Sequence, residues 1–141
     1  MRKKTDLLVL DAFPILDFFL KKPGWQRVGE IFDDAVQHDI RHLLSAINFG
    51  EIRYTILRDA GPEQAEVAVE RIMQGPIEII LPTLEQVIQA STFKSKGGIS
   101  YADCFAGALA LERDLPVLTG DDEFKRLIQY GVKVEWLPRI G

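Results

Sequence analysis

Cysteine and histidine are scarce in this 141-residue chain, which has one cysteine, Cys104, and two histidines, His38 and His42. A lone thiol excludes an internal disulfide and a cysteine metal cluster, and the two histidines match no zinc motif. Long apolar runs are missing too, so no segment is expected to span a bilayer. These absences favour a soluble protein, and a cytoplasmic location fits them best.

A secretory signal is also not indicated, although the chain begins with basic residues followed by apolar ones. Asp6, Asp11, Pro14 and Asp17 interrupt the apolar part. No small-residue cleavage site follows them, as a signal peptide would require. We therefore interpret the N-terminal segment as part of the mature fold.

Internal repeats, linkers and low-complexity tracts are likewise absent. Hydrophobic residues make up 47% of the chain and charged residues 27%, as is typical of globular domains. The length suits one domain with one core, so a single domain over residues 1–141 is predicted. The net charge of −4 argues mildly against a generally basic nucleic-acid-binding surface, but it is compatible with a local basic patch.

Short apolar runs alternate with amphipathic patterns along the chain. The apolar runs predict strands at 7–10, 40–44, 77–82, 115–118 and 132–137. The periodic stretches predict helices at 12–20, 25–37, 45–61, 62–73, 83–94, 100–114 and 121–130. This alternation predicts the α/β class, with one parallel sheet sandwiched between helices. Binding sites in such sheets lie at the carboxyl ends of the strands.

Four carboxylates fall close to that edge of the predicted sheet. Asp11 directly follows the first strand, and Asp121 follows the fourth after two intervening residues. Glu51 lies nearly two turns into the third helix, and Asp103 lies in the first turn of the sixth. One cleft can therefore collect four acidic side chains from remote parts of the sequence.

Helix capping is an alternative explanation for three of these acids. Acidic residues are favoured at helix N-termini, so Asp11 and Asp121 can each be explained as caps. Ser100 and Asp103 have the spacing of a capping box, with Asp in place of the usual Glu or Gln. Taken singly, each of the three is explained without chemistry, and both interpretations stay open at this point.

Glu51 is harder to explain as a surface residue. Ile47 and Tyr54 lie four residues before it and three after it, so the pattern predicts Glu51 within or beside the buried stripe of its helix. An unpaired carboxylate is unfavourable there. A buried ion pair with Arg53 or Arg58 is the structural alternative.

A divalent cation would explain the four acids together. Two carboxylates about 5 Å apart repel by roughly 3 kcal/mol at an effective dielectric constant near 20. A cation between them offsets that repulsion. Oxygen ligands without cysteine or a histidine pair suit Mg²⁺ or Mn²⁺ far better than Zn²⁺.

Around these acids the chain resembles the PIN-domain family, and within it the VapC-type toxin ribonucleases of prokaryotic toxin–antitoxin pairs. The matching segments are "LLVLDAF", "LLSAINFGEIRY", "ISYADCFAGALALERDLPVLTGDDEF" and "VEWL", which occur in the order seen in the family and span almost the whole chain. The third segment is the most specific of them. The resemblance implies a PIN-like, Rossmann-like three-layer α/β/α fold.

The same resemblance implies which residues act and what they bind. The metal-binding and catalytic acids of the family fall on Asp11, Glu51, Asp103 and Asp121. Glu123 matches a further acidic position with a supporting or second-metal role, whereas Asp122 is interpreted as a solvated cap. Family members commonly have Ser or Thr where this chain has Phe13, so a hydroxyl able to orient a ligand is missing at that position.

The activity implied is metal-dependent hydrolysis of RNA phosphodiesters by an endoribonuclease using Mg²⁺ or Mn²⁺. Lys94, Lys96, Arg53 and Arg58 are the candidate RNA-binding residues at the rim, with a solvated surface as the alternative for each. The resemblance also implies a homodimer and a cognate antitoxin protein.

Two other functions are alternatives to an RNA-cleaving enzyme, and one surface is a candidate for binding a partner. The first alternative is a catalytically weakened module that binds RNA or protein. The second is an Mg²⁺-dependent phosphatase, which is disfavoured because Ala12 and Phe13 follow Asp11 where such enzymes have a second Asp. A groove around Phe18, Phe19 and Trp25 is a candidate docking surface for a partner.

Overall fold

A computed structural model of the protein describes residues 6–138. Within that range, five parallel strands form one sheet in the order β3-β2-β1-β4-β5. The strands are β1 Val9–Leu10, β2 His42–Ser45, β3 Ile77–Ile80, β4 Val117–Thr119 and β5 Val134–Trp136. The all-parallel arrangement confirms the prediction, although most strands are shorter than the apolar runs that indicated them.

Helices cover both faces of the sheet. They are α1 Ala12–Leu20, α2 Trp25–Gln37, α3 Ala46–Ala60, α4 Pro62–Gln74, α5 Leu84–Ser95, α6 Tyr101–Arg113 and the single turn α7 Lys125–Ile128. This is the three-layer α/β/α fold that the resemblance implied. None of the described helices is both long enough and apolar enough to cross a membrane.

The sheet separates two hydrophobic cores because successive strand residues point to opposite faces. In β1, Leu10 belongs to the core shared with α1 to α4, and Val9 belongs to the core shared with α5 to α7. The same alternation holds for Leu44 and Leu43 in β2. Every central strand is therefore buried on both sides, which leaves its carboxyl end as the place where polar groups can emerge.

Side-chain caps fix where several helices begin. The hydroxyl oxygens of Ser45, Thr83 and Ser100 accept backbone N–H groups in the first turns of α3, α5 and α6. Ser45 is also the last residue of β2, so α3 begins without an intervening loop. The caps Ser45 and Ser100 place the starts of α3 and α6 close to the carboxyl edge of the sheet.

The last helix differs from the prediction of one helix over 121–130. Residues Asp122–Phe124 form a 3₁₀ turn, and α7 ends at Ile128. The N–H of Phe124 donates to the Asp121 carbonyl at 3.2 Å, and the N–H of Tyr130 donates to the Leu127 carbonyl at 3.0 Å. These three-residue spacings tighten both ends of the segment, and Phe124 and Leu127 are buried in the same core.

Candidate metal centre

One cavity of about 240 Å³ opens at the carboxyl edge of the sheet. Its lining includes all five acidic residues singled out in the sequence: Asp11, Glu51, Asp103, Asp121 and Glu123. β1 and β4 are neighbouring strands, which explains why Asp11 and Asp121 share this edge. Glu51 and Asp103 reach the same cavity from α3 and α6.

The acidic side chains form two overlapping groups of three. Carboxylate oxygens of Asp11, Glu51 and Asp103 lie within 4.8 Å of one another, and so do those of Asp103, Asp121 and Glu123. Asp103 belongs to both groups, and every potential ligand atom is an oxygen. Mg²⁺ and Mn²⁺ prefer such hard donors.

Asp11 and Thr119 join the ends of β1 and β4. The register that pairs Leu10 with Leu118 places these two residues opposite each other. The Thr119 hydroxyl donates to Asp11 Oδ2 at 2.7 Å, while Asp11 Oδ1 accepts the Ala12 N–H at 2.7 Å. Asp11 therefore caps α1 and still presents its carboxylate to the cavity.

Asp121 shows the same combination of capping and clustering. Its Oδ1 accepts the Glu123 N–H at 2.9 Å, so it caps the 3₁₀ turn. Its own N–H donates to the Thr119 hydroxyl oxygen at 3.0 Å. Thr119 thus accepts from the backbone of one acidic residue and donates to the carboxylate of another.

The predicted capping box at the start of α6 forms in only one direction. Ser100 Oγ accepts the Asp103 N–H at 3.2 Å, as the spacing suggested. The Ser100 N–H, however, donates to Glu123 Oε1 at 3.3 Å instead of to Asp103. Glu123 takes the reciprocal position of the box, and the Asp103 carboxyl faces Asp11 and Asp121 instead.

The prediction that Ile47 and Tyr54 mark the buried stripe beside Glu51 was wrong. Ile47 and Tyr54 are 38% and 56% exposed, so they do not form the buried stripe of α3. That stripe consists of Asn48, Ile52 and Ile56. Glu51 lies beside this stripe, is half-buried and lines the acidic cavity.

An ion pair does not account for Glu51. Arg53 pairs with Glu66 at 3.2 Å, and Arg58 pairs with Asp59 at 2.8 Å. The position of Arg53 two residues after Glu51 rotates it to the opposite side of the helix. Among the described residues, the buried Oε1 of Glu51 has no hydrogen-bond partner.

Burial and mutual repulsion raise the pKa values of Asp103, Asp11 and Glu51. Burial, followed by the charge of Asp11, raises the pKa of Asp103 to about 10. Burial also raises the pKa of Asp11, although the Thr119 hydroxyl opposes that effect. The pKa of Glu51 is raised by burial and then by the charge of Asp11. The cluster is therefore electrostatically unfavourable when all of its members are ionised.

These properties fit a divalent cation. A cation would give the unpartnered Glu51 oxygen a ligand bond, and it would offset the burial and the repulsion that raise the pKa values of Asp103 and Asp11. The donor set contains only oxygen atoms, so a hard cation suits it better than zinc does.

Asn48 is a polar residue near the cluster that the sequence did not single out. It is fully buried, and its Nδ2 donates to the Ala102 carbonyl at 3.1 Å, which connects α3 to α6. It also lowers the pKa of Glu51 through a side-chain hydrogen bond. Its position three residues before Glu51 on the same helix was the signal that could have identified it.

The four candidate RNA-binding residues lie in different surroundings. Lys94 Nζ donates to the Ile99 carbonyl at 2.8 Å, directly before Ser100 at the cavity rim. Lys96 lines a separate cavity of about 60 Å³ together with Arg126, which the sequence did not single out. Arg53 and Arg58 lie on α3 in the exposed ion pairs described above.

The proposed docking groove is present in part. Phe18 and Phe19 line a cavity of about 210 Å³ with Phe32 and Arg71, while Trp25 lies outside its lining. The Arg71 guanidinium lies over the rings of Phe18 and Phe19 at 5.5 and 5.2 Å from their centroids. The groove is thus aromatic with one cationic wall.

Comparisons with known proteins place this geometry in context. The PIN domain family matches residues 8–128. No curated protein matches the chain significantly. Among solved structures, DNA-bound VapBC from Salmonella typhimurium contains a chain 20% identical to this one, with a TM-score of 0.76 over 94% of this chain and 99% of that one.

Two further solved structures share the same fold. VapBC2 from Rickettsia felis, bound to a DNA fragment from its promoter, is 15% identical, with a TM-score of 0.75 over 94% of this chain and 99% of that one. VapC20 from Mycobacterium tuberculosis, described as a Sarcin-Ricin loop cleaving toxin, is 13% identical, with a TM-score of 0.69 over 87% of this chain and 94% of that one. At these identities the likeness concerns the fold.

Proposed function

Because this chain belongs to the PIN domain family, we propose that it is a divalent-metal-dependent endoribonuclease that hydrolyses RNA phosphodiesters in the cytoplasm. We further propose that it is the toxin of a type II toxin–antitoxin pair. The observation that carries the nuclease proposal is the pair of overlapping carboxylate groups sharing Asp103. Five acids in one cavity repel one another and do not stabilise the fold by themselves, whereas Mg²⁺ and Mn²⁺ are bound by carboxylate oxygens of this kind.

The proposed ligand roles follow the two groups. Asp11, Glu51 and Asp103 would hold one cation, and Asp103, Asp121 and Glu123 would hold or support a second. When bound, such a cation lowers the pKa of a coordinated water and stabilises the charge that develops on phosphate oxygens. The protein contributes an aligned, partly buried set of carboxylates for this chemistry.

Residues around the ligands would orient them. The Thr119 hydroxyl fixes one oxygen of Asp11, which leaves the orientation of that carboxylate defined. Asn48 ties α3 to the peptide group before Asp103, so it fixes the spacing between the helices that carry Glu51 and Asp103. Thr119 supplies a hydroxyl close to Asp11 even though position 13 has none.

RNA must approach an acidic cavity, so cations at its rim would assist binding. Lys94 is the best placed, because its ammonium group is bound to the carbonyl next to Ser100. Lys96 precedes Gly97 in the loop between α5 and α6, and Arg126 packs beside Gly98 of that loop. Both cations would contact more distant phosphates. Arg53 and Arg58 would have to exchange their present ion pairs for RNA, so we assign them the weaker role.

RNA cleavage tests the proposal directly. The purified protein is incubated with structured and single-stranded RNAs in Mn²⁺ or in EDTA, beside the variants Asp103→Asn and Asp122→Asn. The Asp122 carboxylate is exposed, lies 3.7 Å from Lys125 Nζ and does not line the acidic cavity, so Asp122→Asn is the matched control. We expect chelator-sensitive cleavage that Asp103→Asn abolishes and Asp122→Asn retains. Intact RNA across a broad panel would favour a non-catalytic binding module, and phosphate release from small monoesters would favour a phosphatase.

An antitoxin would use the groove between α1, α2 and α4. The matched solved structures from Salmonella typhimurium and Rickettsia felis are VapBC complexes. Val36 lines the groove and is 65% exposed, so Val36→Glu should preserve the fold and weaken antitoxin binding. Inhibition of cleavage by a cognate antitoxin measures the effect. Equal inhibition of both proteins would place the contact elsewhere.

A homodimer would bury the apolar side chains at the start of α5. Leu81, Leu84 and Ile88 are 77%, 71% and 58% exposed, and their spacing keeps them close together on one side of the chain. Leu84→Glu should therefore shift the protein towards the monomer in sedimentation experiments. Val67→Glu, at an exposed apolar position on α4, is the control. A wild-type chain that sediments as a monomer at micromolar concentration would contradict this part of the proposal.

A further inference from the structure

Phe13 is an exposed aromatic residue in the wall of the acidic cavity. It lies two residues after Asp11 on the first turn of α1, and 38% of its surface is exposed. Its helix neighbours Ala12, Pro14 and Ile15 are buried, so the sequence of α1 turns this one ring out of the core. Single exposed apolar residues are common on proteins. Phe13, however, lines the same cavity as the five acids, and this position calls for an explanation.

The ring is held in place by the turn that carries Asp121. A Cβ atom added at Gly120 would lie 2.4 Å from Phe13 Cε1 and 2.8 Å from Cζ. The edge of the ring therefore lies directly against the backbone of Gly120, and only glycine leaves it that space. A side chain fixed in this way loses little further freedom when a ligand packs on it.

The ring makes no polar contact with the acids. Thr119 supplies the hydroxyl that holds Asp11, at 2.7 Å, and the carbon atoms of Phe13 offer no polar contact. The exposed part of the ring is therefore available to a ligand that enters the cavity. Such a ligand must combine an anionic group, for the cation-loaded acids, with a flat apolar surface next to it. A nucleotide has both, because its base adjoins its phosphate.

We propose that Phe13 is a stacking platform for the nucleobase next to the phosphate that enters the acidic cavity. The proposal rests on the RNA-cleaving function proposed above. Stacking on an aromatic ring tolerates every base, because every base has a π-face. Phe13 is thus a substrate-positioning residue that strengthens binding without selecting a sequence.

The test is a cycle that removes the ring and the base separately. Phe13→Ala, Phe13→Trp and wild-type protein cleave oligoribonucleotides that carry either a normal or an abasic residue beside the cleavage site. We expect Phe13→Ala to raise KM by about tenfold with little change in kcat, since one stacked base contributes on this scale. Phe13→Trp should retain the wild-type KM. The abasic substrate should raise the KM of the wild type by about tenfold and leave the KM of Phe13→Ala unchanged.

Two controls separate stacking from damage to the site. Tyr54→Ala removes an exposed aromatic residue of α3 that does not line the cavity, and it should leave KM unchanged. Mn²⁺ binding by Phe13→Ala should match that of the wild type within error, because the ring is not a ligand. Independent, multiplying effects of the ring and the base would overturn the proposal, and so would a KM of Phe13→Ala within twofold of the wild type.

The outcome also distinguishes this proposal from the nuclease function. If the wild type binds the oligonucleotide but does not cut it, the nuclease function fails, and the same cycle measured as dissociation constants still decides the role of Phe13. A wild type that binds no RNA overturns both. If Phe13→Ala weakens only the binding of an arginine-bearing peptide, the ring serves a protein partner and the stacking proposal is wrong.

Discussion

Replacing Asp103 by Asn should stabilise the metal-free protein while it abolishes activity. The pKa of this carboxyl rises from 3.8 to about 10 on folding, and its side chain is only 4% exposed. At pH 7 the unfolded chain is ionised there, whereas the folded chain must take up a proton. That uptake spans about 3 pH units at about 1.4 kcal/mol each, so it costs up to about 4 kcal/mol.

Asparagine removes this cost because it is neutral in both states. Its amide can also donate to Asp11, as the protonated Asp103 carboxyl does. We therefore expect the free energy of unfolding to rise by about 2–4 kcal/mol in EDTA at pH 7, which corresponds to a thermal midpoint higher by on the order of 10 °C. The wild-type protein without metal should lose stability as pH rises from about 4 towards about 10, and Asp103→Asn should lose less.

Metal should reverse this order. A cation that binds only the folded wild type adds about 2.7 kcal/mol at a hundredfold excess over its dissociation constant. Asp103→Asn lacks the ligand shared by both carboxylate groups, so Mn²⁺ should hardly move its midpoint. Circular dichroism melts of both proteins, in EDTA and in millimolar Mn²⁺, measure all four midpoints. A variant that melts at or below the wild type in EDTA, or that gains as much from Mn²⁺, would refute the reasoning.

Three further predictions concern the same edge of the sheet. Mn²⁺ affinity should increase with pH, by at most about tenfold per unit between pH 6 and 9, because binding displaces the proton of Asp103; Mn²⁺ titrations over a pH series check this. Thr119→Val should lower the free energy of unfolding by about 1.5–3 kcal/mol, since the buried Asp11 carboxylate loses its 2.7 Å hydrogen bond; urea denaturation measures the loss. Gly120→Ala should destabilise the fold by about 1–3 kcal/mol because its Cβ collides with Phe13, and Phe13→Ala in the same chain should remove most of that loss.

Each of these predictions has its own control. Asp122→Asn leaves the lining of the acidic cavity intact and should show the same pH profile of Mn²⁺ affinity as the wild type. Thr92→Val removes an exposed hydroxyl that bonds the Ile88 carbonyl on α5, so it should change stability by less than about 0.5 kcal/mol. Gly50→Ala adds a Cβ with nothing within 4 Å on α3 and should stabilise the helix by up to about 1 kcal/mol. Equal losses at Gly50 and Gly120 would contradict the role of the ring contact.

Local patterns were sufficient where a helix has a strong start and a clear stop. The predicted bounds of α1 and α2 agree with the structure, because Asp11 caps the first helix and amphipathic spacing defines the second. The helix predicted over 45–61 agrees with α3 to within one residue at each end. The segment after Asp121 was predicted less well, since its helical composition does not distinguish a 3₁₀ turn followed by a short helix from one continuous α-helix.

The sequence by itself determined the α/β class and the acidic character of one edge, because strand and helix periods and the order of elements are local properties of the chain. Only the tertiary structure decided how the acids relate to one another. The spacing allows the Ser100 N–H to donate to the Asp103 carboxyl. The Ser100 N–H donates instead to Glu123, which is twenty-three positions away in sequence. Which carboxylates share a proton or a cation depends on distances of a few ångströms between separate elements, and such distances are set when the two cores pack against the sheet.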